Sequence, residues 1–210
     1  MPDLLAPVLA ALASPGRPSS DYDLNRSGDL PPSRDLRAAG VLVAFERHED
    51  ALHLYLTKRS SHLKHHPGQI AFPGGKVEPT DASPIAAALR EAEEEIGLPR
   101  SHVRVLGVLE PHETVTSFQM VPVIAEIIKP FTPIRETGEV EEVFTVPLSH
   151  VADLSRYRVE RRLWRGDWRY FYVAPFGPYY IWGATARILR ALADRMQAPE
   201  QSPSPPEARL

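Results

Sequence analysis

Apolar and polar positions along the chain change period several times, and each change marks an element. Leu52, Leu54 and Leu56 alternate with His53, Tyr55 and Thr57, the two-residue period of a strand. A second apolar run, Ala38 to Phe45, precedes it across the polar turn Arg47-His48-Glu49-Asp50, which predicts a strand pair over 38–45 and 52–58. Val103 to Leu109, Met120 to Ile128 and Val140 to Val146 are further β-branched runs. Arg158 to Trp164 and Arg169 to Val173 predict a hairpin around Arg165-Gly166-Asp167. Two segments follow a helical period instead. One begins at Ser83 as N-cap with Pro84 at the first helical position and runs to Ile96, with Gly97 as its stop. The other runs from about Ala184 to Met196. Strands interleaved with two substantial helices predict an α/β (α+β) domain with a mixed sheet and helices on its faces.

Proline placement sets the boundaries. Ten of the 22 prolines lie before residue 33 or after residue 198. Residues 14–35 read as a polar connector, and Gln197 to Leu210 read as a disordered tail. The expected organisation is an N-terminal segment with connector over 1–35, one domain over 36–196 and a Pro-rich tail over 197–210. The final Ala208-Arg209-Leu210 loosely resembles a peroxisomal address, but a plain tail is the expectation. The apolar run Leu4 to Ala13 is short, contains Pro7 and follows Asp3 without a basic start, unlike a signal peptide.

Composition narrows the chemistry. The absence of cysteine removes disulfides, thiolate nucleophiles and Cys-based zinc sites. It fits a cytoplasmic protein, and no stretch approaches the roughly 18 apolar residues of a membrane span. A net charge of −3 supplies no global field for nucleic acid. An anionic ligand must therefore meet a local basic cluster or a bound cation. Lys58, Arg59, His62, Lys64, His65 and His66 crowd into nine residues, and a solvated surface loop is the blander explanation for them.

On the first helix, Ile85, Ala88, Leu89, Ala92 and Ile96 form one stripe, the expected buried face. Glu91 and Glu95 lie together on one flank, Glu94 sits beside Glu91 toward solvent, and Glu93 falls on the opposite flank. Like charges at this spacing destabilise a helix unless a hard cation reverses the sign. Directly upstream, Phe72-Pro73-Gly74-Gly75 predicts a turn whose backbone can approach a ligand closely.

These residues resemble the Nudix hydrolase box, G-x5-E-x7-R-E-U-x-E-E-x-G-U with U aliphatic. The helical half, Arg90-Glu91, Glu94-Glu95 and Gly97-Leu98, matches throughout, with Ala92 as a small U. In the loop half, Gly75 and Asp81 each stand one place earlier than the pattern, which has Lys76 and Ala82 in those places. The resemblance implies a Nudix α/β/α sandwich with a mixed central sheet. It implies Glu91 and Glu95 as leading ligands of Mg²⁺ or Mn²⁺, Glu94 as an additional one, and Arg90 as the residue orienting them. It also implies attack of water on a diphosphate. Arg90 can equally pair with Glu94, its i+4 neighbour.

The segment Tyr55-Leu56-Thr57-Lys58-Arg59-Ser60, with Lys64, Gly68 and Phe72 to Gly75, looks like the signature L-L-T-x-R-[SA]-x3-R-x3-G-x3-F-P-G-G of the coenzyme A diphosphatase branch. Tyr55 replaces a Leu, and Lys64 replaces an Arg and loses its bidentate fork. That likeness implies CoA or a CoA ester as substrate, with Lys58, Arg59, Lys64, Gly74 and Gly75 as substrate-binding residues. Glu139 is preferred to Glu141 and Glu142 as a further catalytic carboxylate; in a regular strand Glu139 and Glu141 would share a face. Tyr180 and Trp182 are candidates to stack on a base, with core packing the alternative for Trp182. Another nucleoside diphosphate derivative such as ADP-ribose, or a non-catalytic ligand-binding module, are the rival readings. The sequence leaves the oligomeric state open.

Overall fold

The computed structural model describes residues 3–25, 35–164 and 166–197. In chain order the elements are α1 (Ala6–Ala13), β1 (Ser19–Ser20), β2 (Arg37–His48), β3 (Ala51–Arg59), β4 (Ile70–Ala71), β5 (Gly74–Lys76) and α2 (Pro84–Ile96). There follow β6 (Val103–Val108), β7 (His112–Glu113), β8 (Phe118–Ile127), β9 (Val140–Pro147), α3 (Leu148–Ala152), β10 (Arg158–Trp164), β11 (Asp167–Val173) and α4 (Gly183–Met196).

Strand β2 organises the sheet. It runs parallel to β8, with Arg37 opposite Phe118 and Phe45 opposite Glu126. Its other edge is shared: residues 45–48 pair antiparallel with β3, and residues 39–41 pair antiparallel with β5. β9 and β4 add to β3, and β6 and β7 add to β8, giving the mixed sheet that the sequence predicts.

Alternation along β2 builds two cores. Val41, Val43 and Phe45 join one apolar cluster with residues of α1, α3 and α4. Leu42 and Ala44 join the other with Ala88, Ala92 and Ile96 of α2. Successive side chains of a strand point to opposite faces, so a strand covered on both sides is apolar at every position. The result is a three-layer α/β/α sandwich. No described helix is long and apolar enough to cross a membrane.

The N-terminal segment joins the fold over its described part. Leu5, Val8 and Ala11 of α1 are buried in the first cluster, with Leu109, Leu189 and Leu192. Residues 19–20, read as connector from the sequence, form β1 and pair parallel with β7. His112 is fully buried there, with Ser19 Oγ 2.9 Å from its Nδ1 and Asp21 Oδ1 3.1 Å from its Nε2. Farther on, Asp23 pairs with Arg187 of α4, and the Asn25 side chain brackets Tyr170 of β11 with two hydrogen bonds. The Pro-rich tail, with Ala208-Arg209-Leu210, lies outside the described residues, as does most of the 14–35 connector beyond Asn25.

The β10–β11 hairpin forms as predicted and is a separate two-stranded sheet. It starts its return strand at Asp167, two residues before the predicted Arg169.

Candidate active site

Helix α2 has the ends its sequence specifies. Ser83 accepts a hydrogen bond from the Ala86 N–H at 3.2 Å, and Gly97 terminates the helix with φ 69°, a left-handed conformation that favours glycine. Its first turn docks tightly on β2, because a Cβ on Gly40 would stand 1.8 Å from the Pro84 carbonyl oxygen. This contact sets the height of the helix over the sheet and so the position of its carboxylates.

Gly74 and Gly75 lie in β5 rather than in an open turn, because their backbone completes the free edge of β2. Their close approach is to the acidic helix. The Gly74 N–H donates to Glu95 Oε2 at 3.1 Å, and a Cβ on Gly75 would fall 2.3 Å from Glu91 Oε1. Two glycines in succession are the local solution to seating two carboxylates against a strand.

Glu95, which the helical period places on a flank of the apolar stripe, is buried, with 4% of its surface exposed. The buried face is rotated from the expected stripe: Ala87 is buried while Ile85 and Leu89 are only partly so, and the β5 strand covers the flank that holds Glu95. Burial pushes the Glu95 carboxyl up to about 8; Glu91 and Glu139 add to the rise, and the Gly74 N–H and Arg59 oppose it. Burial raises Glu91 as well, offset by its bond from Arg90.

Arg90 is the hub of this face. Its guanidinium donates to Asp81 (Nη2 to Oδ2, 2.9 Å), Glu91 (3.0 Å), Glu94 (2.9 Å) and the Lys76 carbonyl (3.2 Å). The expected pairing with Glu94 is therefore one of four. Asp81, displaced by one place from the family pattern, still reaches Arg90, because Asp81 Oδ2 accepts the Glu78 N–H at 2.9 Å and closes a tight turn. The Arg90 hydrogen bonds hold the Asp81 carboxyl below its usual range. Asp81 was absent from the expected site residues; the signal was its short distance upstream of the helix cap.

Glu139 comes to the same face on a segment that runs past the C-terminal end of α2, where the Ile134 N–H donates to the Ile96 carbonyl. The Glu136 N–H donates to the Glu95 carbonyl, and the Glu136 carboxylate accepts the N–H groups of Gly138 and Glu139 at 3.0 and 2.7 Å. This turn carries Glu139 near enough to raise both Glu91 and Glu95. Glu139 lies before β9 rather than within it, and the β3–β9 register shifts between Lys58 and Arg59. The bulge breaks the alternation that would have put Glu139 and Glu141 on one face. Glu141 instead holds Lys58 at 2.7 Å, and Glu142 accepts the Tyr179 hydroxyl.

The basic segment does not gather into one cluster. Lys58 is paired, and Lys64 is exposed on the loop after β3. Arg59 turns the other way, placing Nη1 4.0 Å from Glu95 Oε1, with its Nε buried and without a partner. Beside Lys58 opens a cleft of about 500 Å³, lined among others by Ile70, Glu142, Arg162, Tyr180 and Trp182. Its floor, Lys58 and Ile70, adjoins the elements that carry Arg59 and Gly74 to the acidic face. Arg162 was missed in the sequence, because it lies on a separate hairpin remote from the box. Trp182 is partly buried and packs edge-on against Phe171, while Tyr180 is exposed at 44%.

Among the described residues no three acidic or histidine groups already converge as a closed metal shell. The donor chemistry nonetheless suits a hard cation. The carboxyl oxygens of Glu91 and Glu95 are seated side by side on β5, and a cation there would offset the burial and the charges of Glu91 and Glu139 that raise the Glu95 carboxyl. Mg²⁺ accepts a few protein oxygens and completes its sphere with water and substrate oxygens.

Comparison with known proteins agrees with this geometry. The NUDIX domain model matches residues 35–167. The chain is 45% identical over 179 residues to an uncharacterized Nudix hydrolase NudL of Escherichia coli O139:H28, covering 82% of this chain and 92% of the relative. To the NudL of Escherichia coli K12 it is 48% identical over 158 residues, covering 75% and 81%. Among solved structures it is similar to a MutT/nudix family protein from Enterococcus faecalis, with a TM-score of 0.51 at 18% identity, covering 80% of this chain and 64% of that one. The chain belongs to the Nudix hydrolase family, enzymes that act on phosphorus-containing anhydrides.

Proposed function

We propose that this enzyme hydrolyses the diphosphate bond of coenzyme A, or of a CoA ester, to 4′-phosphopantetheine and adenosine 3′,5′-bisphosphate. The observation that carries the reading is the position of the 55–75 segment. It supplies Arg59 beside Glu95 and Gly74 and Gly75 beneath the two carboxylates, and it forms the floor of the neighbouring cleft. A diphosphate at the acidic face would have its nucleoside or pantetheine arm directed over that floor.

In this reading Glu91 and Glu95 hold Mg²⁺ or Mn²⁺, and Glu94 joins them when it leaves Arg90. When bound, the cation supplies Lewis-acid charge to the diphosphate oxygens and lowers the pKa of water. Arg90 fixes the Glu91 carboxylate and the start of the helix through its bonds to Asp81 and Lys76. Arg59, whose side chain is partly exposed beside Glu95, offers its guanidinium to a phosphate oxygen, and Lys58 and Lys64 add charge at the cleft and on the loop. Glu139 is placed to accept the proton of the attacking water, since it is exposed and close to both helix carboxylates.

The test is hydrolysis of CoA, 3′-dephospho-CoA and ADP-ribose side by side, with Mg²⁺ or Mn²⁺ and again with EDTA. Metal-dependent release of 4′-phosphopantetheine, fastest from CoA, is the expected result. Cleavage of ADP-ribose without CoA would overturn the substrate while keeping the acidic face. No turnover of any of the three would favour a ligand-binding module.

A further inference from the structure

Across the cleft from Lys58, strand β10 presents Arg162. The guanidinium is exposed, and among the described residues no carboxylate pairs with it. The other charged groups that line the cleft are engaged: Lys58 with Glu141, and Glu142 with the Tyr179 hydroxyl. Arg162 also stands directly opposite Arg169 in the hairpin register. Like charges in that relation destabilise a strand pair, and among the described residues of the hairpin no acidic side chain pairs with Arg162. Arg169, by contrast, lies 5.4 and 5.6 Å from the ring centres of Tyr22 and Trp164.

Three aromatic groups share this cleft with Arg162: Tyr179, already stacked on Phe144 with ring centres 3.6 Å apart, and Tyr180 and Trp182. Tyr180 is held by its hydroxyl, which donates to Glu160 at 2.7 Å, and its ring centre lies 6.4 Å from that of Trp182. Trp182 is also the N-cap of α4 and gives that helix no side-chain cap, so the positive end of a 14-residue helix meets the same wall. A flat ring surface next to an unpaired guanidinium matches a purine carrying a phosphomonoester. The pantetheine arm of CoA is uncharged and has no use for either group.

We propose that the cleft between β3 and the β10–β11 hairpin binds the adenosine end of the substrate, with Arg162 reading the 3′-phosphate and Tyr180 and Trp182 bordering the base. The inference rests on the CoA reading above and makes Arg162 the residue that sets preference for the 3′-phosphorylated nucleotide. Arginine suits this role because its planar fork can engage two phosphate oxygens at once, which lysine cannot do.

The test measures binding of adenosine 3′,5′-bisphosphate and adenosine 5′-monophosphate by calorimetry, together with kcat/KM for CoA and 3′-dephospho-CoA. The wild-type chain is compared with Arg162→Ala, Arg162→Lys and Tyr180→Ala, each checked for an unchanged melting transition. The wild type is expected to favour the 3′-phosphorylated member of each pair by about tenfold or more, the effect of one charge-assisted phosphate contact. Arg162→Ala should remove that preference and leave 3′-dephospho-CoA turnover within about twofold of wild type, while Arg162→Lys restores part of it. Tyr180→Ala should weaken both nucleotides alike. A wild type that prefers CoA, with the preference intact in Arg162→Ala, overturns this inference and leaves the substrate reading standing. A wild type indifferent to the 3′-phosphate in binding and turnover overturns both.

Discussion

Helix α2 packs on β2, β5 and β8, the β10–β11 hairpin packs through β11 on α4, and the two are held in different ways. The helix is clamped: capped at both ends, seated on Gly40, and tied through Arg90 to Asp81 and the Lys76 carbonyl. The hairpin pairs only with itself among the strands, and exposes Val159, Leu163 and Trp168 by half or more. Reaction geometry tolerates little displacement, whereas recognition of a substrate arm can be carried on a more loosely supported element. The division predicts large effects from small changes on the helix side and small effects from comparable changes on the hairpin.

The largest expected effect is at Glu95. Glu95→Gln should lower kcat by roughly 10²–10⁴-fold, the range associated with loss of a group acting on charge or protons, while a thermal melt shows the fold intact. A variant with wild-type kcat would remove Glu95 from the reacting centre. Next comes Gly75→Ala, whose methyl group must displace the Glu91 carboxylate from 2.3 Å. Turnover should fall roughly 10–100-fold, as expected for misplacing a reacting group by about an ångström. Unchanged kinetics would mean that Glu91 can move freely, and the clamp described above would be wrong.

The third prediction uses pH. With its folded-state value near 8 and an ordinary value of 4.5, the Glu95 carboxyl keeps a proton in the metal-free fold that the unfolded chain releases. Stability must then fall as pH rises from about 4.5 to 8, by roughly 3–5 kcal/mol from this group. Melting in EDTA across that window should show the decline, and Glu95→Gln should flatten it. Added Mg²⁺ should raise the melting temperature more at pH 8 than at pH 6, because the cation competes with that proton. The smallest effect is on the hairpin: Leu163→Ser, 57% exposed, should change stability by less than about 1 kcal/mol and leave kcat unaltered. A large loss there would show that the hairpin is as rigidly built in as the helix.

What could be read from the sequence follows the same division. The ends of α2 were legible because Ser83, Pro84 and Gly97 act locally, through a cap, a fixed φ and a left-handed stop. The strands that form β2, β3 and β8 were legible from apolar runs. The burial of Glu95 was not legible because it depends on β5, a three-residue strand without an apolar pattern of its own. Glu139 and Glu141 were given a common face because alternation assumes a regular ladder, and a bulge is invisible in residue types. Helix α1 gave no amphipathic signal, since Ala6 to Ala13 is apolar throughout. The six basic residues around Lys64 suggested one cluster, yet Glu141, eighty-odd positions away in sequence, captures Lys58. The misreadings of Lys58, Glu139 and Glu141 all involve a strand partner distant along the chain.

The parallel pairing of β2 with β8 has a consequence for how the molecule assembles. Arg37 lies opposite Phe118, so the ends of a loop of roughly 80 residues must meet before that ladder forms. Helix α2 lies inside this loop and packs on β2, and Val123, Ala125 and Ile127 of β8 complete the apolar layer beneath it. During synthesis the acidic helix is therefore made well before the layer that seats it is complete. The apolar face of that helix loses its water only when a late, non-local closure is achieved, and a transient opening that frees β8 would return Ala88, Ala92 and Ile96 toward solvent.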